Sequence, residues 1–270
     1  MSKNNLIKGI SSNNVPFVKW GSGSKIMMIF SGGPGNMLPV KLGMMTNMYN
    51  PFLDEYTIYM VARKLNLSKG YTTENIADDY AEMINVDIGG RVHVVMGESY
   101  GGMVMQHFAA RHGSLSDKFI IIVASNKMSE IGKKIDFQFA ELLSRGEPRK
   151  AAVKIAEALY PPGFVQFLLK GFFWLSGNSI VDSSSKTFAR DIMFEVEAEV
   201  NHNAEKNLKK IDVPVLMICG DSDIYFPLEY IEETAQLIKS CQLKLYKGKG
   251  HMGTISDKRL IKDIQQFIRQ

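Results

Sequence analysis

Cysteine is nearly absent: the 270 residues hold two, Cys219 and Cys241, in unrelated contexts. A disulfide framework is therefore not expected, and a reducing compartment suits the chain. Long apolar runs are missing too. The greasiest segment, residues 164–175, is broken by Lys170 and Gly171 and is too short to span a bilayer. The N-terminal stretch MSKNNLIKGISSNN has no apolar core behind its lysine, so no secretory signal is expected, and the chain reads as soluble and cytoplasmic. An excess of one charge is also lacking. The 32 basic residues face 28 acidic ones, and the basic clusters at 206–210 and 244–249 are interrupted, as solvated faces are. Nucleic acid is not an expected partner. Neither an internal repeat nor a low-complexity linker stands out. Walker-type phosphate loops and zinc-like histidine spacings are missing as well, so the expectation is a protein with no cofactor and no metal.

What remains is ordinary globular material, 45% hydrophobic and 22% charged, in a chain long enough to bury a substantial core. Short apolar runs at 17–20, 25–30, 56–61, 91–96, 119–124, 213–219 and 242–246 are rich in Val and Ile and end in turn residues. Strands buried on both faces between helix layers read this way. Helical periodicity falls between them. Residues 75–84 place Ile76, Tyr80, Met83 and Ile84 on one side behind a threonine cap. The run after Ser99 pairs Val104 with Phe108 and Met105 with Ala109, and 227–239 and 256–269 read as two more helices. Such alternation predicts a doubly wound, mostly parallel α/β sheet. It lapses over residues 126–205, where helical patterns, Pro161-Pro162 and the cluster Phe172, Phe173, Trp174 replace strands. This stretch is expected to be a helical cap inserted into a core of residues 1–125 and 206–270, above the strand ends where ligands bind.

Four segments carry chemistry. Gly97-Glu98-Ser99-Tyr100-Gly101 follows one strand run and opens a helix, the strand–turn–helix setting that lifts a serine hydroxyl above a sheet. Ser31-Gly32-Gly33-Pro34-Gly35 follows another strand, and its amides are free of side-chain cover. Gly33 N–H is the expected donor to an oxyanion there, with Tyr100 N–H, at the start of the helix, as the second. Gly220-Asp221-Ser222-Asp223 and Gly250-His251-Met252-Gly253 each follow a later strand. They supply a carboxylate, from Asp221 or Asp223, and an imidazole to the same sheet edge.

Together these segments resemble the α/β-hydrolase superfamily, in its esterase and proline iminopeptidase-like branch, over roughly residues 15–270. The resemblance maps the catalytic acid onto Asp223 and implies a triad of Ser99, His251 and Asp223, without a cofactor. It implies a serine hydrolase acting on a carboxylic ester through an acyl-serine intermediate. Phe172, Phe173 and Trp174 would line an apolar acyl pocket for a small-molecule substrate. A proline-iminopeptidase-type aminopeptidase is the alternative, with Glu195 and Glu199 on one helix face holding a free amine. A non-catalytic, ligand-binding relative is the third reading. Two departures stand out. Ser31-Gly32 replaces the His-Gly of many relatives. In the segment after residues 56–61, Arg63 is kept, but Val61, Lys64 and Asn66 stand where relatives carry an acid and two glycines. Carboxylate anchoring of that turn is therefore not expected.

Overall fold

The computed structural model describes residues 5–35, 38–39, 41–160, 163–180 and 185–270. The expected break at Pro161-Pro162 lies outside the described residues. Eight strands form one sheet: β1 (Ile7–Ile10), β2 (Pro16–Gly21), β3 (Lys25–Phe30), β4 (Tyr56–Val61), β5 (Val94–Glu98), β6 (Lys118–Ile122), β7 (Val215–Gly220) and β8 (Cys241–Tyr246). Their spatial order is β1-β2-β4-β3-β5-β6-β7-β8. β1 and β2 pair antiparallel at one edge, and every pairing from β4 to β8 is parallel. The helices are α1 (Met44–Asn47), α2 (Thr73–Asp87), α3 (Tyr100–His112), α4 (Glu130–Ser144), α5 (Pro148–Leu159), α6 (Phe164–Ser176), α7 (Phe188–Val200), α8 (Glu205–Leu208), α9 (Leu228–Leu237), α10 (His251–Ile255) and α11 (Leu260–Ile268).

The apolar strand runs explain the layering. Successive side chains on a strand point to opposite faces, so a run apolar at every position must be covered twice. Met28, Phe30, Val95, Ile121 and Met217 join one core with Ile76, Tyr80, Val104 and Phe108 from α2 and α3. The intervening Met27, Ile29, Met96, Ile120 and Ile218 join a second core with Trp20, Tyr49, Leu260, Ile264 and Phe267. A third, smaller cluster lies within the helices between β6 and β7, from Phe139 and Leu143 on α4 to Ile192 and Val196 on α7.

Helix ends follow local chemistry. Thr72 caps α2: its hydroxyl accepts from Asn75 N, and Asn75 Oδ1 accepts from Thr72 N. Ser129 caps α4 by accepting from Gly132 N. Two boundaries differ from the sequence expectation. The antiparallel β1 has too little buried apolar character to announce itself. The segment expected as one helix from 256 is preceded by the separate α10, which starts at His251 itself.

Chain order and spatial order part company at β3. The chain leaves β3 to form β4 on one side and returns to form β5 on the other. The loops after β3 and β5 therefore lie side by side at the carboxyl edge, the switch point where open α/β sheets bind ligands. Among the described residues no helix is long and apolar enough to cross a membrane. Both cysteines are free thiols, and burial pushes each up to about 12.

His202 is buried at 4% exposure. Its Nδ1 lies 2.9 Å from Thr73 Oγ1, its ring packs edge-on against His107, and Nε2 has no hydrogen-bond partner among the described residues. Burial holds its pKa well below the usual 6.5, helped by the neighbouring His107, which burial also lowers against the pull of Glu74. The folded state thus refuses a proton that the unfolded chain accepts, so stability falls as pH drops below about 6.5. We expect His202→Gln to flatten the acid side of the stability curve by up to about 1.4 kcal/mol per pH unit, read from urea midpoints between pH 7 and pH 5.

Candidate active site

Ser99 stands between β5 and α3 with φ 51° and ψ −117°, backbone angles that a residue with a side chain rarely adopts. The strain is held by close packing on both sides. A Cβ on Gly97 would lie 2.4 Å from Gly101 O, and one on Gly101 would lie 2.0 Å from Phe30 O. Only glycine lets β5, the turn and the first turn of α3 approach so closely. Gly102 N and Met103 N then close the helix onto Ser99 O, at 2.8 and 3.1 Å. The amide of Tyr100, first in the helix, has no intrahelical acceptor by geometry and points from the positive end of the helix dipole.

The loop after β3 runs beside this turn. The Cβ position of Gly32 is 3.3 Å from Ser99 Cβ, and Gly33 turns the chain with φ 64°. Where many relatives have histidine, Ser31 Oγ donates to Val61 O at 2.8 Å. Arg63 does the rest. Its Nη1 donates to Ser31 O at 3.0 Å, its Nη2 donates to Gly33 O, and its Nε pairs with Glu195 Oε2 at 3.1 Å. The same Glu195 oxygen accepts from Gly35 N at 2.8 Å. Arg63 also lies over the Tyr100 ring, whose hydroxyl donates to Glu195 O.

This corrects the expectation for the turn after β4. The anchoring carboxylates exist, but α7 supplies them. Asp191 accepts from Asn66 N at 2.8 Å and Leu67 N at 3.1 Å, while Glu195 holds Arg63. Asn66 takes φ 61°, a conformation asparagine tolerates where relatives use glycine. Sequence reasoning missed Asp191 because its partners lie about 125 residues away.

Asp223 and His251 meet across the loops after β7 and β8. His251 Nδ1 lies 2.8 Å from Asp223 Oδ2, and both residues are buried at 6% exposure. A carboxylate accepts only, so Nδ1 carries the proton and Nε2 is left with its lone pair. Asp223 Oδ1 accepts from Tyr225 N at 2.9 Å, and the Tyr225 and Phe226 rings lie 5.3 and 6.0 Å from the imidazole. Asp221, the rival acid, is turned outward to Gly248 N and the Ser222 hydroxyl. Glu98, beside Ser99, is within electrostatic reach of His251; burial raises its carboxyl, while the Tyr49 hydroxyl that donates to it opposes the rise.

The five expected substrate contacts sit on α6 and α7. Phe172 and Trp174 are 64% and 44% exposed on α6, a helix with no buried residue, and Phe173 is half-buried against Phe172. Glu195 and Glu199 do share a face of α7, but each is buried at 2% exposure, and Glu195 is committed to Arg63. Glu199 lies against Asp136 of α4. The two carboxyl groups lie within interaction distance of each other, and Tyr225 Oη donates to Asp136 Oδ1 at 3.1 Å. Burial raises both carboxyls, and their mutual repulsion lifts Glu199 further.

A strained serine between a parallel strand and a helix, with a paired histidine and aspartate on later strands, is the framework of the α/β hydrolases. The family profile described as the α/β hydrolase fold matches residues 55–258, and the chain belongs to that family. The chain is 25% identical over 195 residues to non-heme chloroperoxidase CPO-A1 of Kitasatospora aureofaciens, covering 67% of this chain and 68% of that one. It is 23% identical over 199 residues to a protein assigned as the carbamate hydrolase RutD of Stutzerimonas stutzeri, covering 71% of each. The enol-lactonase structure from Burkholderia xenovorans LB400 superposes with a TM-score of 0.75 at 16% identity, over 98% of this chain and 100% of that one.

The Arg63–Glu195 pair is sealed from water, so removing one partner strands a charge. Glu195→Leu or Arg63→Met alone is expected to lower stability by about 3–5 kcal/mol, and the double variant by less than their sum. Urea denaturation of the four proteins measures the difference.

Proposed function

We propose that this protein is a serine hydrolase acting on a carboxylic ester, with Ser99 as nucleophile, His251 as its base and Asp223 as the group that orients the histidine. The observation that carries this is the buried His251–Asp223 hydrogen bond at the sheet edge that also presents Ser99 on a strained turn. With Nδ1 tied to a carboxylate, Nε2 is free to take the serine proton as Oγ attacks a carbonyl carbon. Asp223 then stabilises the imidazolium without accepting the proton. The carbonyl oxygen gains charge as it becomes tetrahedral. The Gly33 and Tyr100 amides, on adjacent loops, are the donors assigned to it. Collapse expels the alcohol, protonated by His251, and leaves an acyl-Ser99 ester. Water, deprotonated by the same histidine, hydrolyses that ester and restores the serine.

The helices from 126 to 205 act in this reading as a cap, because α4 and α7 bear on the loops after β3, β4 and β7. Names among similar proteins point to the same chemistry: carbamate hydrolase, enol-lactonase and esterase each denote attack on an acyl carbon bearing a heteroatom leaving group. The ester reading is favoured over the aminopeptidase one because the carboxylates available to hold an amine are engaged, Glu195 by Arg63 and Glu199 by Asp136.

Labelling with a fluorophosphonate and assay on chromogenic esters of graded acyl length test this reading, with amino-acid arylamides alongside. Ser99→Ala is expected to abolish labelling and, like His251→Ala, to lower ester turnover by about 10³–10⁶-fold; Asp223→Asn should cost about 10⁴-fold. Unchanged hydrolysis by Ser99→Ala would falsify the assignment. Preference for an arylamide with a free N-terminal proline would favour the peptidase, and an unlabelled, inactive wild type a binding protein.

A further inference from the structure

The acid loop is held from two sides by the inserted helices. At the start of α4, Ser129 N donates to Tyr225 O at 2.9 Å and Ser129 Oγ donates to Ile224 O at 2.6 Å. One turn on, Gly132 packs so closely that a Cβ there would lie 2.8 Å from the Tyr225 ring. Tyr225 in turn holds the catalytic pair: its amide donates to Asp223, its ring lies against His251, and its hydroxyl donates to Asp136. Behind Asp136 stands Glu199 of α7. Taken as an ionised carboxylate, Glu199 would have an oxygen, Oε2, buried without any donor. Two unprotonated carboxylates in contact and out of water would also repel strongly. A single proton between them removes both problems, since it gives Asp136 a donor on the side away from Tyr225.

Resting on the triad reading above, we propose that Glu199 is a positioning residue of the active site. By sharing a proton with Asp136 it fixes Tyr225 and so seats the Asp223 loop against His251. α7 then serves both halves of the site from one face. Glu195 holds the oxyanion loop through Arg63, and Glu199, four residues later, holds the acid loop through Asp136 and Tyr225. The groups facing the pair are Tyr225 of the acid loop, His251 of α10, Arg63 after β4, Tyr100 of α3 and Glu195 of α7 itself. Arg63 and His251 favour an ionised carboxyl; burial and the neighbouring acid oppose it, so the pair keeps one proton through the neutral range and loses it on the alkaline side. Because the folded state retains a proton that an unfolded glutamate releases in the usual carboxylate range, rising pH weakens this contact rather than strengthening it.

The test follows the rate of fluorophosphonate labelling of Ser99 against pH in the wild type, Glu199→Gln and Glu199→Ala. Infrared titration of the wild type, Ser99→Ala and Glu199→Gln is run alongside. Glutamine keeps a donor toward Asp136 but cannot ionise. The wild type is expected to lose labelling rate at alkaline pH. Glu199→Gln should lack that alkaline loss, and Glu199→Ala should label roughly 10-fold more slowly than Glu199→Gln throughout. A protonated-carboxyl stretching band should persist at neutral pH in the wild type and Ser99→Ala and be missing from Glu199→Gln. The proposal is overturned if that band is absent from a protein that labels normally, or if Glu199→Gln keeps the wild-type alkaline loss. A wild type unlabelled at every pH overturns the triad reading, and with it this one, while the band still shows whether the pair holds its proton.

Discussion

The buried pair between Arg63 and Glu195 is the contact on which the site's shape depends. Arg63 comes from the turn after β4 and Glu195 from the middle of α7, and both are almost wholly out of water. Two charges in that position survive only when every donor and acceptor is satisfied. Arg63 spends its remaining hydrogens on the carbonyls of Ser31 and Gly33, and Glu195 spends its shared oxygen on Gly35 N. The loop that could bind an oxyanion is thus fixed by a network whose other end is a helix in the insertion between β6 and β7. Backbone carbonyls turned toward a guanidinium also constrain where the intervening amides can point, which is what preorganised charge stabilisation requires.

The same helix explains how a loop without the family's usual acid at position 61 keeps its form. Asp191, one turn before Glu195, accepts from two consecutive amides of the turn at Asn66 and Leu67. Anchoring has moved from the strand end to the insertion. Core and insertion are consequently coupled more tightly than packing alone would make them, because loosening α7 would leave the amides of Gly35, Asn66 and Leu67 without these acceptors and Arg63 without the Glu195 counter-ion.

α6 presents the opposite case. Its apolar residues Phe164, Phe167, Phe172 and Leu175 stand exposed. Apolar character states that a residue gains by burial; it does not state against what. The acidic residues of α7 mislead in the reverse direction. Glu195 and Glu199 on one helix face read as a pair open to an amine until Arg63, Asp136 and Tyr225 are found beside them. His202 likewise depends on partners, Thr73 and His107, that lie far away along the chain.

Local rules were enough for much of this protein. Runs apolar at every position required a sheet covered on both faces; the glycines around Ser99 required a turn too tight for side chains; and the order of serine, aspartate and histidine segments placed three reactive groups after three parallel strands. Those inferences succeed because strand period, glycine sterics and turn chemistry act over a few residues. Tertiary structure decided the rest: that Asp223 rather than Asp221 faces His251, that Glu195 and Asp191 brace the turn after β4, and that Asp136 and Glu199 meet at all. Burial and the partner of a charge depend on distances between segments far apart in the chain, from 28 residues for Asp223 and His251 to 132 for Arg63 and Glu195, and no local pattern encodes them.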